Sequence, residues 1–239
     1  MISVCMATFN GEKYLTDQLD SIIGNITSSD EIIVSDDGST DGTAAILLDY
    51  ARNDHRIKIT EGPRKGVNAN FSHAISLAQG DVIFLADQDD LWREDKVSKV
   101  LTAFQSTGCD LVVHNAQLID GDGRALDATL FDIRHSRSGY IKNIARNSYV
   151  GCCMAFRREL VSAILPIPEN VEMHDWWIGL IAEKLFRSTF IKDKLIGYRR
   201  HSENVSSMHH YGIGKMISNR LTLIQETNKR ILTLKKVAK

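Results

Sequence analysis

Three carboxylates fall within four positions of the stretch ADQDDLW (86–92), directly after an apolar run at 82–85. Carboxylates packed this closely repel one another and resist desolvation, so they need a cation or unusual pKa values. Oxygen ligands suit hard divalent cations such as Mg²⁺ and Mn²⁺, which commonly bridge protein carboxylates to substrate phosphates. The spacing of Asp87 and Asp89 therefore predicts a divalent metal site, and the alternative is a solvated acidic loop.

The elements that must position this stretch alternate regularly through the first half of the chain. Short apolar runs lie at 2–9, 31–37, 57–60, 81–86 and 110–119, and amphipathic segments lie at 14–23, 42–53, 68–79 and 94–105. This alternation predicts an α/β fold with a mostly parallel central sheet flanked by helices. Ligands of such sheets bind beyond the carboxyl ends of the strands, so we expect the polar residues at 8–12, 36–42 and 87–90 to gather at one edge.

The composition excludes several classes of protein. The net charge of the 239 residues is −1, which gives the chain as a whole no nucleic-acid footprint. No apolar stretch approaches the ~20 residues of a membrane-spanning helix, and the N-terminus does not have the form of a signal peptide. The four cysteines lack metal-ligand spacing and two of them are adjacent, which favours buried free thiols. We therefore expect a cytoplasmic protein.

Other motifs that bind phosphate or calcium do not fit. The stretch 37–42 resembles the start of a calcium loop, but the twelfth position is Leu48 rather than a bidentate glutamate. The chain has no GxxxxGK[ST] loop and no GxGxxG after its first apolar run. Neither a P-loop nor a dinucleotide fingerprint is supported.

Three stretches together carry a family resemblance. ATFNGEKYL (7–15), EIIVSDDGSTDGT (31–43) and DVIFLADQDDLW (81–92) resemble, in order and spacing, the inverting nucleotide-sugar glycosyltransferases of family 2, which have the GT-A fold. GCCMAFRREL (151–160), HDWW (174–177) and LIGYRRHSEN (195–204) are similar to a rhamnosyltransferase-like subgroup. The resemblance implies a GT-A domain over 1–212, with a nucleotide-sugar half (1–120) and an acceptor half (121–212).

The resemblance also implies a binding site for the donor nucleotide. Its residues would be Ala7, Thr8, Phe9, Asp36, Asp37 and Asn70. Asp37 matches the residue that accepts a hydrogen bond from the pyrimidine N3–H, a donor that cytosine lacks. Phe9 would stack on the base, and the alternative for Phe9 is a core aromatic. This pattern implies a UDP- or dTDP-sugar donor.

The metal and diphosphate site follows from the same resemblance. Asp89 matches the metal-binding second aspartate of the family's DxD element, and Asp87 would lie beside the ribose and the metal. His201 matches a downstream histidine that completes this site in relatives, and Arg199 would neutralise the diphosphate. The implied cofactor is Mg²⁺ or Mn²⁺.

The catalytic residue implied by the resemblance is Asp175. The family has an acidic pair, commonly Glu-Asp, whose aspartate is the general base, but His174 replaces the first acid here. An inverting transfer needs such a base on the acceptor hydroxyl. Gly151 would line the sugar site, and Trp176 and Trp177 would offer the acceptor an apolar face or pack in the core.

The expected reaction is metal-dependent transfer of a sugar, L-rhamnose from dTDP-rhamnose by the subgroup resemblance, to a glycan or lipid-linked acceptor in bacterial surface-polysaccharide biosynthesis. Two alternatives are a sugar-nucleotide pyrophosphorylase, whose basic glycine-rich loop is missing here, and a non-catalytic nucleotide- or glycan-binding module. Each would keep a related sheet without transferring a sugar to an acceptor.

The C-terminal segment 213–239 differs in charge from the rest of the chain. It has seven basic residues and one acid, a net charge of +6, which leaves −7 on residues 1–212. Its apolar residues recur at helical spacing, which predicts a basic amphipathic helix with a stripe at Ile213, Ile217, Leu221, Ile224, Ile231 and Leu234. This stripe is expected to pack on the catalytic domain, to mediate self-association, or to contact the inner face of the plasma membrane.

Overall fold

A computed structural model describes residues 1–201 and 212–237. The first half builds a parallel sheet from strands and helices that alternate along the chain. The strands are β1 (Ile2–Thr8), β2 (Glu31–Asp36), β3 (Ile57–Glu61) and β4 (Val82–Ala86), and the helices are α1 (Leu15–Ile23), α2 (Thr43–Asn53) and α3 (Val67–Leu77).

All the pairings among these four strands are parallel, and β1 lies between β2 and β4. β1 and β4 are apolar and largely buried because helices cover both faces of a parallel sheet. Thr8 is aligned with Asp36 in the register of β1 and β2, so the polar ends of these strands meet at one edge. The structure thus confirms the α/β class predicted from the sequence.

The second half adds β5 (Leu91–Trp92), α4 (Lys96–Thr107), β6 (Leu111–Ile119), β7 (Ala125–Thr129), α5 (Leu130–Arg134), α6 (Tyr140–Ala145), β8 (Met154–Arg157), α7 (Val161–Ile164), α8 (His174–Leu185), β9 (Ser188–Arg199) and α9 (Ile213–Val237). The sheet order is β3-β2-β1-β4-β8-β6-β9-β5, with β7 paired to β6. β8 pairs antiparallel with both β4 and β6, so the sheet is mixed rather than mostly parallel over its whole width. The segment 125–139 contains β7 and α5.

The long strand β9 brings the chain back to the acidic stretch at residues 87–90. Its C-terminal part pairs antiparallel with β5, and Leu91 is aligned with Gly197. This pairing places Arg199 and His201 beside residues 87–90, although more than 100 positions separate them along the chain.

Helix α9 packs on α8 and α6, so it is part of the same folded body. Leu223 and Thr227 are fully buried, while Ile217 and Leu221 are each 53% exposed. The predicted stripe is therefore wrong over its first turns, because the side chains that pack inward lie on a different face of the helix from Ile217 and Leu221. The side chain of Ile213 and residues 202–211 lie outside the described parts of the chain.

Two simpler expectations also have an outcome. The four cysteines are buried and free, which confirms the prediction of free thiols. No helix within 1–201 or 212–237 combines the length and the apolar character that crossing a bilayer requires.

Candidate active site

The acidic loop, residues 87–90, leaves β4 and is held in place through its backbone. The buried Gln18 of α1 donates its side-chain amide to the carbonyl of Asp87 at 2.9 Å. The Arg199 guanidinium donates to the carbonyl of Asp89 at 2.8 Å, and the Arg199 backbone N–H donates to Asp90 Oδ1 at 3.0 Å. Two of these three contacts take backbone carbonyls, so they fix the course of the loop.

The residues at this loop fit a divalent cation. Ligand atoms of Asp87, Asp90 and Cys152 lie within 4.8 Å of one another. Asp90 is fully buried, and its Oδ2 accepts no hydrogen bond from the described residues. Burial and the charge of Asp89 raise the pKa of Asp87 to about 7, and burial with the charges of Asp89 and Asp87 raises the pKa of Asp90 well above its usual range. A bound cation would offset both the desolvation and the repulsion.

The predicted metal residues Asp89 and His201 lie together at the same loop. His201 Nε2 is 2.8 Å from Asp89 Oδ2, and the imidazole packs against the Tyr14 ring at 4.8 Å between centroids. The sequence could not single out Asp90, because DQDD contains three similar carboxylates. Burial distinguishes Asp90 from the other two, since its Oδ2 accepts no hydrogen bond from the described residues.

Arg199 is held by contacts with the protein itself. Its side chain is 2% exposed, donates to the carbonyl of Gly121 at 2.9 Å as well as to that of Asp89, and lies over the Tyr14 ring. A guanidinium held this way fixes the acidic loop through protein carbonyls. The sequence had suggested only a contact between Arg199 and the diphosphate, and that contact stays a prediction.

A buried cation on α4 lies behind the acidic loop. Lys96 Nζ donates to the Cys152 carbonyl at 2.9 Å and lies 3.8 Å from the centroid of the Trp92 ring. Burial lowers the pKa of Lys96 to about 8, and the charges of Asp90 and Asp87 oppose that shift. Lys96 thus offsets part of the negative charge from the protein side. The sequence does not identify Lys96 as part of the site, because a buried lysine on a helix has the same local pattern as a solvated one.

The strand ends opposite the acidic loop are joined by side chains predicted to bind the nucleotide. Thr8 Oγ1 donates to Asp36 Oδ1 at 3.0 Å, and the Ser39 hydroxyl and backbone N–H also donate to the Asp36 carboxylate. The buried Asn70 donates to the carbonyl of Ser35 at 2.8 Å. These residues fix the strand edge beside Ala7, the half-buried residue of β1.

Phe9 and Asp37 present the two groups expected to recognise a base. Phe9 is 56% exposed, which excludes the core alternative, and its backbone is fixed by reciprocal hydrogen bonds with the Gln88 side chain. The Asp37 oxygens accept the backbone N–H groups of Arg64 at 2.6 Å and Gly66 at 2.8 Å. Each oxygen retains a second lone pair for a ligand donor.

Asp175 lies in the first turn of α8 and is 7% exposed. Burial raises its pKa to about 6, and the Arg134 guanidinium, the Gly151 N–H and the Asn147 side chain oppose that shift. The charge of Asp175 in turn contributes to the raised pKa of Asp87, so the two carboxylates belong to one site. A desolvated carboxylate with a pKa near neutrality suits a general base.

His174, which replaces the family's first acid, is a buried neutral residue. Its ring stacks on Phe71 with 4.1 Å between centroids, and burial lowers its pKa to about 3. A Cβ on Gly151 would lie 2.6 Å from His174 Nε2, so a residue with a side chain at position 151 would clash with the imidazole. Gly151 thus has a packing role in addition to facing Asp175 with its N–H.

The two tryptophans of HDWW correct one expectation from the sequence. Trp176 is 6% exposed and donates its indole N–H to the carbonyl of Asn143 at 2.7 Å. Trp177 is fully buried and donates to the carbonyl of Ile164 at 2.8 Å. Both rings pack in the core, so neither offers an apolar face to an acceptor sugar. They hold α8, and therefore Asp175, in position.

Comparison with known proteins gives a consistent picture. The model of the family described as Glycosyl transferase family 2 matches residues 3–165. The chain is 27% identical over 210 residues to a putative teichuronic acid biosynthesis glycosyltransferase, TuaG, of Bacillus subtilis, covering 87% of this chain and 82% of that protein. It is 26% identical over 212 residues to an uncharacterized glycosyltransferase of Nostoc sp., covering 85% of this chain and 66% of that protein.

Solved structures share the fold. The S. aureus TarS fragment 1–349 in complex with UDP has a TM-score of 0.71 at 19% identity and covers 95% of this chain and 64% of that one. The mannosyltransferase PcManGT of Pyrobaculum calidifontis, in complex with GDP-Man and Mn²⁺, has a TM-score of 0.65 at 18% identity, covering 84% and 57%. The chain therefore spans less than two thirds of these structures and of the Nostoc protein. The GT-A fold expected from the sequence is confirmed.

Proposed function

The chain belongs to glycosyl transferase family 2, and from this membership we propose that it transfers a sugar, with inversion, from a nucleoside diphosphate sugar to a hydroxyl of a glycan or lipid-linked acceptor. The proposal rests on two kinds of carboxylate at one site: crowded carboxylates suited to a metal ion, and a separate buried carboxylate suited to a general base. Asp87 and Asp90 are crowded at the acidic loop, and Asp175 faces the same site with a pKa raised by burial to about 6.

Each part of the site has a role in this reaction. Phe9 stacks on the base, Asp37 accepts a hydrogen bond from it, and Ala7, Thr8, Asp36 and Asn70 shape the strand ends around the nucleoside. Asp87, Asp89 and Asp90, with His201, would hold Mg²⁺ or Mn²⁺, which when bound neutralises charge on the departing diphosphate. Asp175 removes the proton of the accepting hydroxyl as that oxygen attacks the anomeric carbon.

The donor is proposed to be a UDP- or dTDP-sugar. Uracil and thymine carry an N3–H donor that suits the Asp37 carboxylate, and TarS, which shares the fold, binds UDP. Rhamnose is proposed as the sugar from the resemblance of residues 151–160, 174–177 and 195–204 to the rhamnosyltransferase-like subgroup. The relationship to the Bacillus protein named for teichuronic acid biosynthesis supports a place in bacterial surface-polysaccharide assembly.

The organisation that we propose divides the chain at the residues expected from the sequence. Residues 1–120 bind the donor, residues 121–212 bind the acceptor and supply the base, and the segment 213–239 contains the C-terminal helix α9. Ile217, Leu221 and Leu232 are exposed on α9, and this outer face, accompanied by lysines, is proposed to contact the anionic inner face of the plasma membrane.

The decisive experiment measures binding and turnover of a donor panel. UDP-, dTDP- and GDP-sugars are titrated with Mn²⁺, with Mg²⁺ and with EDTA, and release of nucleoside diphosphate is then followed with candidate acceptors. We expect metal-dependent binding of UDP- or dTDP-sugars and acceptor-dependent release.

Asp89→Ala should fold but lose the metal-dependent part of donor binding, and Asp127→Asn, at an exposed position on β7, is the matched control. Donor affinity that EDTA leaves unchanged in both variants would contradict the metal assignment. Pyrophosphate-dependent nucleotide chemistry, or binding without turnover, would support the pyrophosphorylase or the binding module instead.

A further inference from the structure

A run of cations borders the acceptor side of the site. The cationic segment, residues 130–149, contains Arg134, Arg137, Lys142 and Arg146 but one acid, Asp132. It comprises α5, α6 and the turn that leads to Gly151. Residues 1–212 as a whole carry −7, so a positive segment within them departs from the charge of its surroundings.

The cations of this segment contact neutral groups rather than acids. Lys142 Nζ donates to the carbonyls of His135 at 3.0 Å and Arg137 at 3.3 Å, and also to the Ser148 hydroxyl. Arg146 donates to the carbonyl of Ile133 at 2.8 Å. Among the described residues, none of the four cations forms an ion pair with a carboxylate.

Three of the four charges, those of Arg137, Lys142 and Arg146, are close enough to act on one another. Burial lowers the pKa of Lys142, the charges of Arg137 and Arg146 lower it further, and the charge of Glu183 opposes that shift. Arg137 and Arg146 remain exposed to solvent. Crowded like charges destabilise the folded chain, and a bound anion would remove that cost.

The cationic segment is joined directly to the proposed base. Asn147, the neighbour of Arg146, faces the Asp175 carboxylate with its side chain, and the charge of Arg134 also acts on that carboxylate. The acidic loop, where a metal would meet the donor diphosphate, lies on another part of the site and has Lys96 and Arg199 as its own cations. The cationic segment is therefore placed for the acceptor rather than for the donor.

We propose that the acceptor is an anionic glycan, and that Arg134, Arg137 and Arg146 bind a carboxylate or phosphate group carried close to its accepting hydroxyl. This inference rests on the proposed function, because it names the chemical class of that reaction's second substrate. Arginine suits such a role, since its planar guanidinium binds carboxylates and phosphates through two parallel hydrogen bonds. Lys142 holds the segment in shape through its backbone contacts.

The test compares matched oligosaccharides on the full chain in the presence of Mn²⁺ and UDP. The probes are tetragalacturonate, its neutral methyl ester and a glycerol-phosphate oligomer, and binding is measured by titration calorimetry. The carboxylate and phosphate probes distinguish the two sources of charge, and vesicles of phosphatidylglycerol test whether a membrane headgroup is bound instead. We expect at least one anionic oligosaccharide to bind more tightly than the methyl ester.

The variants connect this preference to the segment. Arg137→Gln with Arg146→Gln should weaken anionic binding by roughly twofold to thirtyfold, as expected for removing two exposed ion pairs, with UDP binding unchanged. Arg52→Gln with Arg124→Gln removes two exposed cations elsewhere and should change nothing. Arg137→Gln alone keeps the test available if the double variant does not fold.

Equal binding of charged and neutral probes would overturn the proposal. So would an equal loss in the control variant, loss of UDP binding in the double variant, or a double variant that loses vesicle binding while its oligosaccharide binding stays unchanged. UDP and metal binding, measured in the same samples, report separately on the proposed function.

Discussion

Aspartates of one chain behave differently here because their surroundings differ. Asp36 accepts three hydrogen bonds from Thr8 and Ser39 and orders a loop. Asp90 is fully buried with an oxygen that accepts no hydrogen bond from the described residues, which is the environment of a metal ligand. Asp175 is buried beside an N–H, an amide and an arginine, which leaves its pKa at about 6, where a carboxylate can both exist as a base and accept a proton.

The base assignment predicts both a loss of rate and a pH profile. Asp175→Asn should keep donor affinity and reduce transfer by a factor on the order of 10²–10⁴, the usual contribution of a positioned base. Because only the ionised form is a base, wild-type kcat/KM should fall as the pH drops through about 6.

The measurement is a pH series of kcat/KM with Asp127→Asn as the control for removing an aspartate. Near wild-type turnover in Asp175→Asn, or a profile without a transition near pH 6, would place the base elsewhere.

Individual elements determine where these side chains lie. β9 pairs with β5 and so brings Arg199 and His201 to the acidic loop. α8 is fixed by two buried tryptophans whose indole N–H groups donate to backbone carbonyls, and this anchors Asp175 at its first turn. α9 supports α8 from outside, and its Arg230 donates to backbone carbonyls at the C-terminal end of α7 and just beyond it.

The outer face of α9 predicts a weak contact with anionic membranes. Deleting α9 would expose the core at Leu223, so point substitutions are the sharper test. Ile217→Ser with Leu221→Ser should abolish sedimentation with phosphatidylglycerol vesicles at low salt, because each nearby cation adds only about 1 kcal/mol and apolar insertion is also needed.

Leu48→Ser with Leu77→Ser alters two exposed leucines on other helices and is the matched control. Wild-type protein that does not sediment, or sedimentation that the α9 substitutions leave intact, would leave α9 with a packing role alone.

Across the whole molecule, charged residues lie in separate regions: the acidic loop, the cationic segment and α9. The acidic loop follows β4, the last strand of the parallel half, and the antiparallel partner β8 follows Cys152, so the proposed metal site lies where the sheet changes direction. The cationic segment lies on the proposed acceptor side, and α9 carries a further concentration of positive charge. The proposed donor site is thus acidic, and the surfaces proposed for the acceptor and the membrane are both basic.

The crowded acidic loop predicts that stability without metal depends on pH. Burial and neighbouring carboxylates raise the folded-state pKa of Asp90, so the folded state holds a proton that the unfolded chain releases above about pH 4. The free energy of unfolding of wild type therefore falls as the pH rises and Asp90 loses its proton. Asp90→Asn has no proton to lose at this position and avoids that fall. The Tm advantage of Asp90→Asn over wild type should grow from about pH 4 to about pH 8 in EDTA.

Thermal unfolding in EDTA and in Mn²⁺ measures this difference. Mn²⁺ should raise the Tm of wild type more than that of Asp90→Asn, and the exposed Asp127→Asn should follow wild type under both conditions. A Tm difference that does not change with pH would show that Asp90 is not held in the crowded environment.

Local patterns in the sequence were sufficient for the α/β class, the edge at which polar residues meet and the family resemblance. Apolar runs specify buried strands, and motifs at strand ends keep their spacing in any fold of this class. Asp87 and Asp89 could therefore be selected from residue type and spacing, and Asp37 and Asp175 from the family resemblance.

Tertiary packing, by contrast, determines which of several similar residues are exposed and which are buried. Trp176, Trp177 and Arg199 looked suited to substrates, yet the packing of α8 and β9 turns all three toward protein carbonyls. Asp90 and Lys96 gained their importance only because strands distant in sequence desolvate them. Burial depends on contacts between residues far apart along the chain, and no local pattern encodes those contacts.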